Sequence, residues 1–199
     1  DKNNSINVGG LIGDNNGGKV YDSRAEGNVI GKQDVGGLIG ENNGNMELSF
    51  AEGQVEISGN NAGGLVGRNT DGVIKQCYAV GDISGSDSIG GLVGRTWSYS
   101  KVKNCFATGN VEGESRIGGL VAWNHIGDLA IIENSFSIGL VSGTEYTGGL
   151  VGDNEDEVSY SYYDQDTSGQ NDTGKGRPKT TEEMLKQATF ENWDFTGIW

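Results

Sequence analysis

The chain holds one histidine, His125, and two cysteines, Cys77 and Cys105, and the histidine follows Cys105 closely in "NCFATGNVEGESRIGGLVAWNH". Cysteine beside histidine can form a thiolate nucleophile with its base, or contribute ligands to zinc. A second group lies in "DQDTSGQND", where Asp164, Asp166, Ser168 and Asp172 follow the offsets of a calcium-binding EF-hand loop, with Gly169 at the sharp-turn position. Lys175 stands where that loop needs a bidentate glutamate, and no helix pair flanks it. A polar capping loop is the leading reading and calcium the alternative. A third group is Trp97 and Tyr99 in "RTWSYS" with Trp123, Asn124 and His125 in "AWNH". Exposed aromatics with polar neighbours can stack on a sugar ring or anchor a protein partner.

The elements that would position these residues are set by a repeat. "GGLIG" at residue 9 recurs from Gly36, Gly63, Gly90, Gly118 and Gly148, at offsets of 27, 27, 27, 28 and 30 residues. A second motif keeps step with it: "DSRAEGNV", "LSFAEGQV", "QCYAVGDI", "NCFATGNV" and "NSFSIGLV". Each period carries short apolar stretches bounded by Gly, Asn, Asp or Ser, which read as strands and turns. One such period cannot bury its own apolar face, whereas stacked periods pair equivalent strands and line up the inward side chains. The expected fold is all-β: a parallel β-solenoid of about six coils, about 27 residues each, which at ~4.8 Å per coil is about 30 Å long.

Register then assigns rows. Leu11, Leu38, Leu65, Leu92, Leu120 and Leu150 should face inward, as should Val29, Val55, Ile83, Val111 and Val141. Cys77 and Cys105 fall in a ladder with Ser23, Ser49 and Ser135, which argues against a catalytic thiol. Strict alternation from the charged row Glu47, Lys75, Lys103 and Glu133 places Phe50, Tyr78, Phe106 and Phe136 inside and the cysteine row outside. The repeated glycines are expected at corners of positive φ and at close coil contacts. His125 occupies a turn position, and without a second histidine neither catalysis nor metal binding is expected of it.

The double motif, "GGLxG" followed by "CyAxGxVxG", resembles the GLUG repeat of large exported bacterial surface proteins, including regions of immunoglobulin A peptidases and haemagglutinin-like adhesins. The resemblance covers about residues 8 to 163 and departs at Arg24, where other coils have an aromatic, and at "GGLVA" in residues 118 to 122. "YYDQDTSGQ" with the later "NWDF" is similar to the tails that end many GLUG arrays, with Asn192 in place of a glycine. The resemblance implies a non-enzymatic module of an extracellular or cell-surface bacterial protein. Its role would be a stalk or display segment, or adhesion to host protein or glycan. The alternatives are a substrate-docking or carbohydrate-binding module of a larger secreted enzyme, and a polysaccharide-cleaving β-helix enzyme.

Residues 1–163 are therefore expected to form the solenoid and 164–199 a capping loop and short helix within the same unit. Thr180 and Glu183 make a capping box, and Met184, Leu185, Ala188, Phe190, Trp193, Phe195 and Trp199 supply apolar surface to cover the last coil. "DKNNSINV" reads as the end of an incomplete coil, which points to a longer parent chain. A formal charge of −14 disfavours nucleic acid as a partner, and no apolar run reaches membrane-spanning length. The signatures "HExxH", "GxSxG" and "GxxxxGK" followed by Ser or Thr are absent, and the acids are scattered through turns rather than paired as glycan hydrolysis requires. No catalytic residue is assigned, and no cofactor beyond the calcium alternative.

Overall fold

The computed structural model describes residues 5–125 and 129–199, so the first four residues of the incomplete N-terminal coil lie outside the described residues. Each sequence period closes one turn of a coil. In one such turn Val55–Gly63, Val66–Thr70, Val73–Lys75 and Tyr78–Ala79 follow one another as strands. Every one pairs in parallel with its equivalents: Val66 with Ile39 and Val93, Ile74 with Met46 and Val102, Tyr78 with Phe50 and Phe106. Among the described residues this builds four parallel sheets of nine, six, six and seven strands, the expected solenoid of about six turns.

The interior is divided into two columns. The larger contains Leu38, Leu65, Leu92, Leu120 and Leu150, with the row Met46, Ile74, Val102 and Ile132. The smaller contains Val29, Val55, Ile83, Val111 and Val141, with Ile57, Ile89 and Ile117. Leu11, at the first turn, is the exception to the leucine row and is 52% exposed. Between the columns the glycine pair of each turn presses against an alanine across the coil. A Cβ on Gly64 would lie 2.3 Å from the Gly91 oxygen and 2.8 Å from the Ala79 Cβ, so the waist closes only without one. Gly31, the last residue of "VIG", pairs with Ile57, and an irregularity displaces Gly59 from that row. Ile57 instead fills the small column opposite Gly85.

Two expectations fail for one reason. The corners of positive φ are held by non-glycine residues, Asp22, Leu48, Gln76, Asn104, Asn134 and Tyr160 at one and Asn7, Asp34, Asn61, Ser88, Arg116 and Tyr146 at another. Among the described residues the glycines of positive φ are Gly17, Gly169, Gly174 and Gly176, outside the repeated motifs. A left-handed residue between two strands shifts the side-chain phase, because alternation holds only along continuous extended chain. Ile74 and Cys77 therefore both point inward across the corner at Gln76. Cys77 and Cys105 are buried, and Phe50, Tyr78, Phe106 and Phe136 form an outer stack with ring centroids 4.7, 4.9 and 5.2 Å apart.

The C-terminal segment closes the end and clamps the flank. Tyr163 continues the alanine row at the last turn, lies against Gly149 and donates its hydroxyl to the Asp172 carbonyl at 2.6 Å. Gly176 packs on Leu150, and Arg177–Lys179 adds a strand beside Tyr162–Asp164. The capping box at Thr180 and Glu183 is present, but the helix is one turn, Thr181–Met184, and Leu185 is 83% exposed. The tail aromatics do not cover the coil end as expected. Phe190, Trp193 and Trp199 lie against Phe106, Phe136 and Tyr162, where the corner phase shift has put a ready aromatic surface.

Two measurements test this architecture. Gly64→Ala should lower stability to urea by about 1 to 3 kcal/mol. Gly27→Ala, where a Cβ meets nothing within 4 Å, should change it by less than about 0.5 kcal/mol. At the cap, burial and then the Asp172 charge push the Tyr163 hydroxyl above its usual range. A raised folded pKa leaves this stabilisation whole below about pH 10 and removes it as pH rises toward the folded value. Tyr163→Phe should therefore flatten the alkaline fall of melting temperature, at a cost near neutrality of about 1 kcal/mol.

Candidate contact face

The six-stranded sheet that includes Val66–Thr70, Val93–Trp97 and Val121–Asn124 carries one outward row that departs from the repeat. In cross-strand register it reads Asp14, Glu41, Arg68, Arg95, Trp123 and Asp153. The Arg95 guanidinium carbon lies 4.0 Å from the Trp97 ring centroid and 4.2 Å from that of Trp123. Arg116, from a neighbouring strand, reaches within 4.5 Å of the Trp123 ring. His125 stacks on Trp97 at 4.9 Å and tilts against Trp123 at 4.5 Å. Partly desolvated cation–aromatic contacts of this kind stabilise by about 0.5 to 2 kcal/mol each.

Of the residues singled out by sequence, Trp97, Trp123 and His125 are brought together, and Tyr99 lies on the adjoining turn, 56% exposed. Asn124 is not a surface residue. It is fully buried in an amide ladder, accepting from Thr96 at 2.7 Å and donating to Asn154 at 2.8 Å. Asn15, Asn42 and Asn69 form the same ladder in earlier turns, linked at 2.7 Å. The arginines were missed by residue type alone. Their signal was positional, since Arg68 and Arg95 occupy the repeat position held by Asp14 and Glu41.

Among the described residues the two outer arginines are paired and the middle one is not. Arg68 meets Glu41 at 2.7 Å and Asp34 at 3.5 Å, while Arg116 pairs with Asp87 and donates to Ser88 at 3.1 Å. Among the described residues Arg95 makes no ion pair, and burial, followed by the charges of Arg68 and Arg116, lowers its pKa.

The acidic loop is engaged in capping. Asp164, 3% exposed, caps the short helix α1, Gln165–Ser168, by accepting from the backbone of Asp166 and Thr167, and it also accepts from the Thr181 hydroxyl. Asp166 accepts from the Thr181 backbone at 2.9 Å, Ser168 from that of Gln170, and Asp172 from that of Gly149. Among the described residues no three His, Cys, Asp or Glu side chains converge as a metal site would need.

Cys105 is buried in the core, whereas His125 stacks with Trp97 on the outer face of a different sheet. The Ser and Cys side chains have one task at successive corners: Ser49, Cys77, Cys105, Ser135 and Ser161 each donate to the carbonyl two residues back, at 2.8 to 3.2 Å.

Fold and face together define a stacked-repeat module whose surface chemistry sits on coil rows. The GLUG motif matches the chain at residues 58–84 and 85–112, and these two turns are GLUG repeats. A relative from Evansella cellulosilytica, described as a Gly-rich membrane protein, is 54% identical over 44 residues, 21% of this chain. The match spans only 5% of that relative's length. No solved structure matches the chain. Among the described residues no helix is long and apolar enough to cross a membrane.

Burial first, and then Cys77, push the Cys105 thiol well above its ordinary pKa. Neither free cysteine should react with an aromatic disulfide reagent in the native protein at about pH 8, and both should react in denaturant. Fast native labelling would contradict this core placement.

Proposed function

We propose that this chain is a non-catalytic display module of an exported bacterial surface protein, a rigid rod that holds a contact face for host protein or glycan. The observation that carries the reading is the parallel pairing of equivalent strands in successive turns, from Ile6 with Gln33 to Ile132 with Val158. Stacked coils of this kind resist bending because each turn is tied to its neighbours by several sheets at once. Rows on the outside are then held at fixed spacing, and the Arg95, Trp97 and Trp123 cluster is fixed across two of them. The GLUG repeats and the Gly-rich membrane-protein relative support a surface location.

The test is binding of the folded protein to an array of neutral and acidic glycans, compared with Trp97→Ala. Trp97 is 40% exposed, so its truncation should leave the melting temperature within a few degrees while weakening binding at least about tenfold. Equal binding by the variant would remove the face from the reading, and cleavage of any glycan by the wild-type chain would overturn the non-catalytic assignment.

A further inference from the structure

The tail tryptophans rest on places that the coil repeats. Trp193 lies 6.0 Å from the ring centroids of both Phe136 and Tyr162, and its Nε1 donates to the Tyr160 carbonyl at 2.8 Å. Trp199 takes the next place along the row, 5.7 Å from Phe136 and 6.3 Å from Phe106. Tyr162, Phe136, Phe106, Tyr78 and Phe50 share one register row, flanked by the corner row of Tyr160, Asn134, Asn104, Gln76 and Leu48. Moving the Trp193 place three turns back along these rows puts it on Tyr78 and Phe50, beside the Gln76 carbonyl. Both rings there are half-buried and stacked 4.7 Å apart. Among the described residues no tail ring lies against either of them, and no hydrogen bond is made to the Gln76 carbonyl. Leu48 in the corner row and Val80 after Tyr78 are 41% and 38% exposed and widen the apolar surface.

The occupied place holds a polypeptide indole, with its ring across two aromatic side chains and its N–H turned to a corner carbonyl. The open place suits the same group brought by another chain. Charge narrows the partner further. Glu52 lies close enough that, after burial, its charge raises the Tyr78 hydroxyl pKa, and among the described residues Glu52 makes no ion pair. Arg24, paired in register with Phe50, is already held by Glu26 at 3.2 Å. A formal charge of −14 attracts a cationic segment and repels a second copy of this chain. We infer that Phe50 and Tyr78 form a docking site for a polypeptide segment that carries a tryptophan with a lysine or arginine near it. The indole packs across the two rings and donates to the Gln76 carbonyl, and the cation pairs with Glu52. This site lies on a different sheet from Arg95, so it goes beyond the contact face proposed above and stands or falls separately from it.

The experiment is calorimetric titration of the whole chain with synthetic peptides built on its own residues 187–199. One peptide carries Glu191→Lys and Asp194→Lys, a second has the native acids, and a third adds Trp193→Ala and Trp199→Ala to the lysine form. Wild type is compared with Tyr78→Thr and Glu52→Gln, and melting curves check that each variant folds. Glu52→Gln alters only an exposed side chain, so it gives a reading even where Tyr78→Thr proves unstable. The lysine peptide should bind wild type, at least about tenfold more weakly in Tyr78→Thr and about threefold more weakly in Glu52→Gln. The native-acid peptide should bind more weakly, and the peptide without tryptophan should not bind. The inference is overturned by no binding of the lysine peptide up to about 1 mM, by equal binding without tryptophan, or by indifference to both variants. Sedimentation of wild type as a dimer that is lost in Tyr78→Thr would assign the strip to a second copy and overturn it as well. None of these outcomes bears on glycan binding at the Arg95 face.

Discussion

The passage of a glycine pair against the alanine row is the contact on which the remaining structure depends. Where Gly64 meets Ala79, opposite walls of the coil are too close for any Cβ on the glycine, and the cross-section is pinched into two columns. Each column is narrow, so modest side chains such as Leu, Val, Ile and Met fill it. Large rings are kept out until the last turn, where Tyr163 takes the alanine position and its ring lies against Gly149 to end the interior. This accounts for a composition that is rich in glycine and still buries a continuous core. Stability accumulates from turn to turn, since a single turn has no interior without its neighbours.

Narrow columns also bring polar backbone at the corners close to the core, where unpaired groups are costly. The corners answer this with side-chain ladders. Buried amides run through Asn15, Asn42 and Asn69 at one corner, and hydroxyls or thiols return to the carbonyl two residues back at another. Cysteine and serine are interchangeable here because the site asks only for a small donor and acceptor of similar shape. The two thiols are thereby explained without chemistry of their own, and Cys105 is the more inert for its depth.

The architecture was legible in the sequence because parallel stacking converts a period directly into a register. Leu38 to Leu150 and Val29 to Val141 could be placed as core by counting. The direction of the aromatic row could not, because it depends on the backbone sign of φ at Gln76 and its equivalents, and residues such as Gln, Leu and Tyr give no warning of a left-handed corner. That single error carried over to the tail, whose tryptophans were assigned to the open end when their partner surface was on the flank. Asn124 was misread for a related reason: a polar residue in a turn motif looks solvated unless the ladder that buries it is seen. The Arg95 cluster was half legible, since Trp97 and Trp123 were conspicuous by type and the arginines only by position.

In a solenoid of this kind the inward rows are constrained by volume and the corner rows by hydrogen bonding, so few positions are left to vary without loss of fold. The outward middle of each strand is one of them. Along the sheet that carries Arg95 this position changes from acid to arginine to tryptophan and back to acid, while the inward neighbours Ile39, Val66, Val93, Val121 and Val151 barely change. Packing inside the coil does not ask for that variation. It places Arg95 between two indoles and, among the described residues, without an ion pair, an arrangement whose burial disfavours the charge. The cation–aromatic contacts there stabilise the fold in their own right, and the contact-face proposal rests on how rigidly the sheet holds them in place.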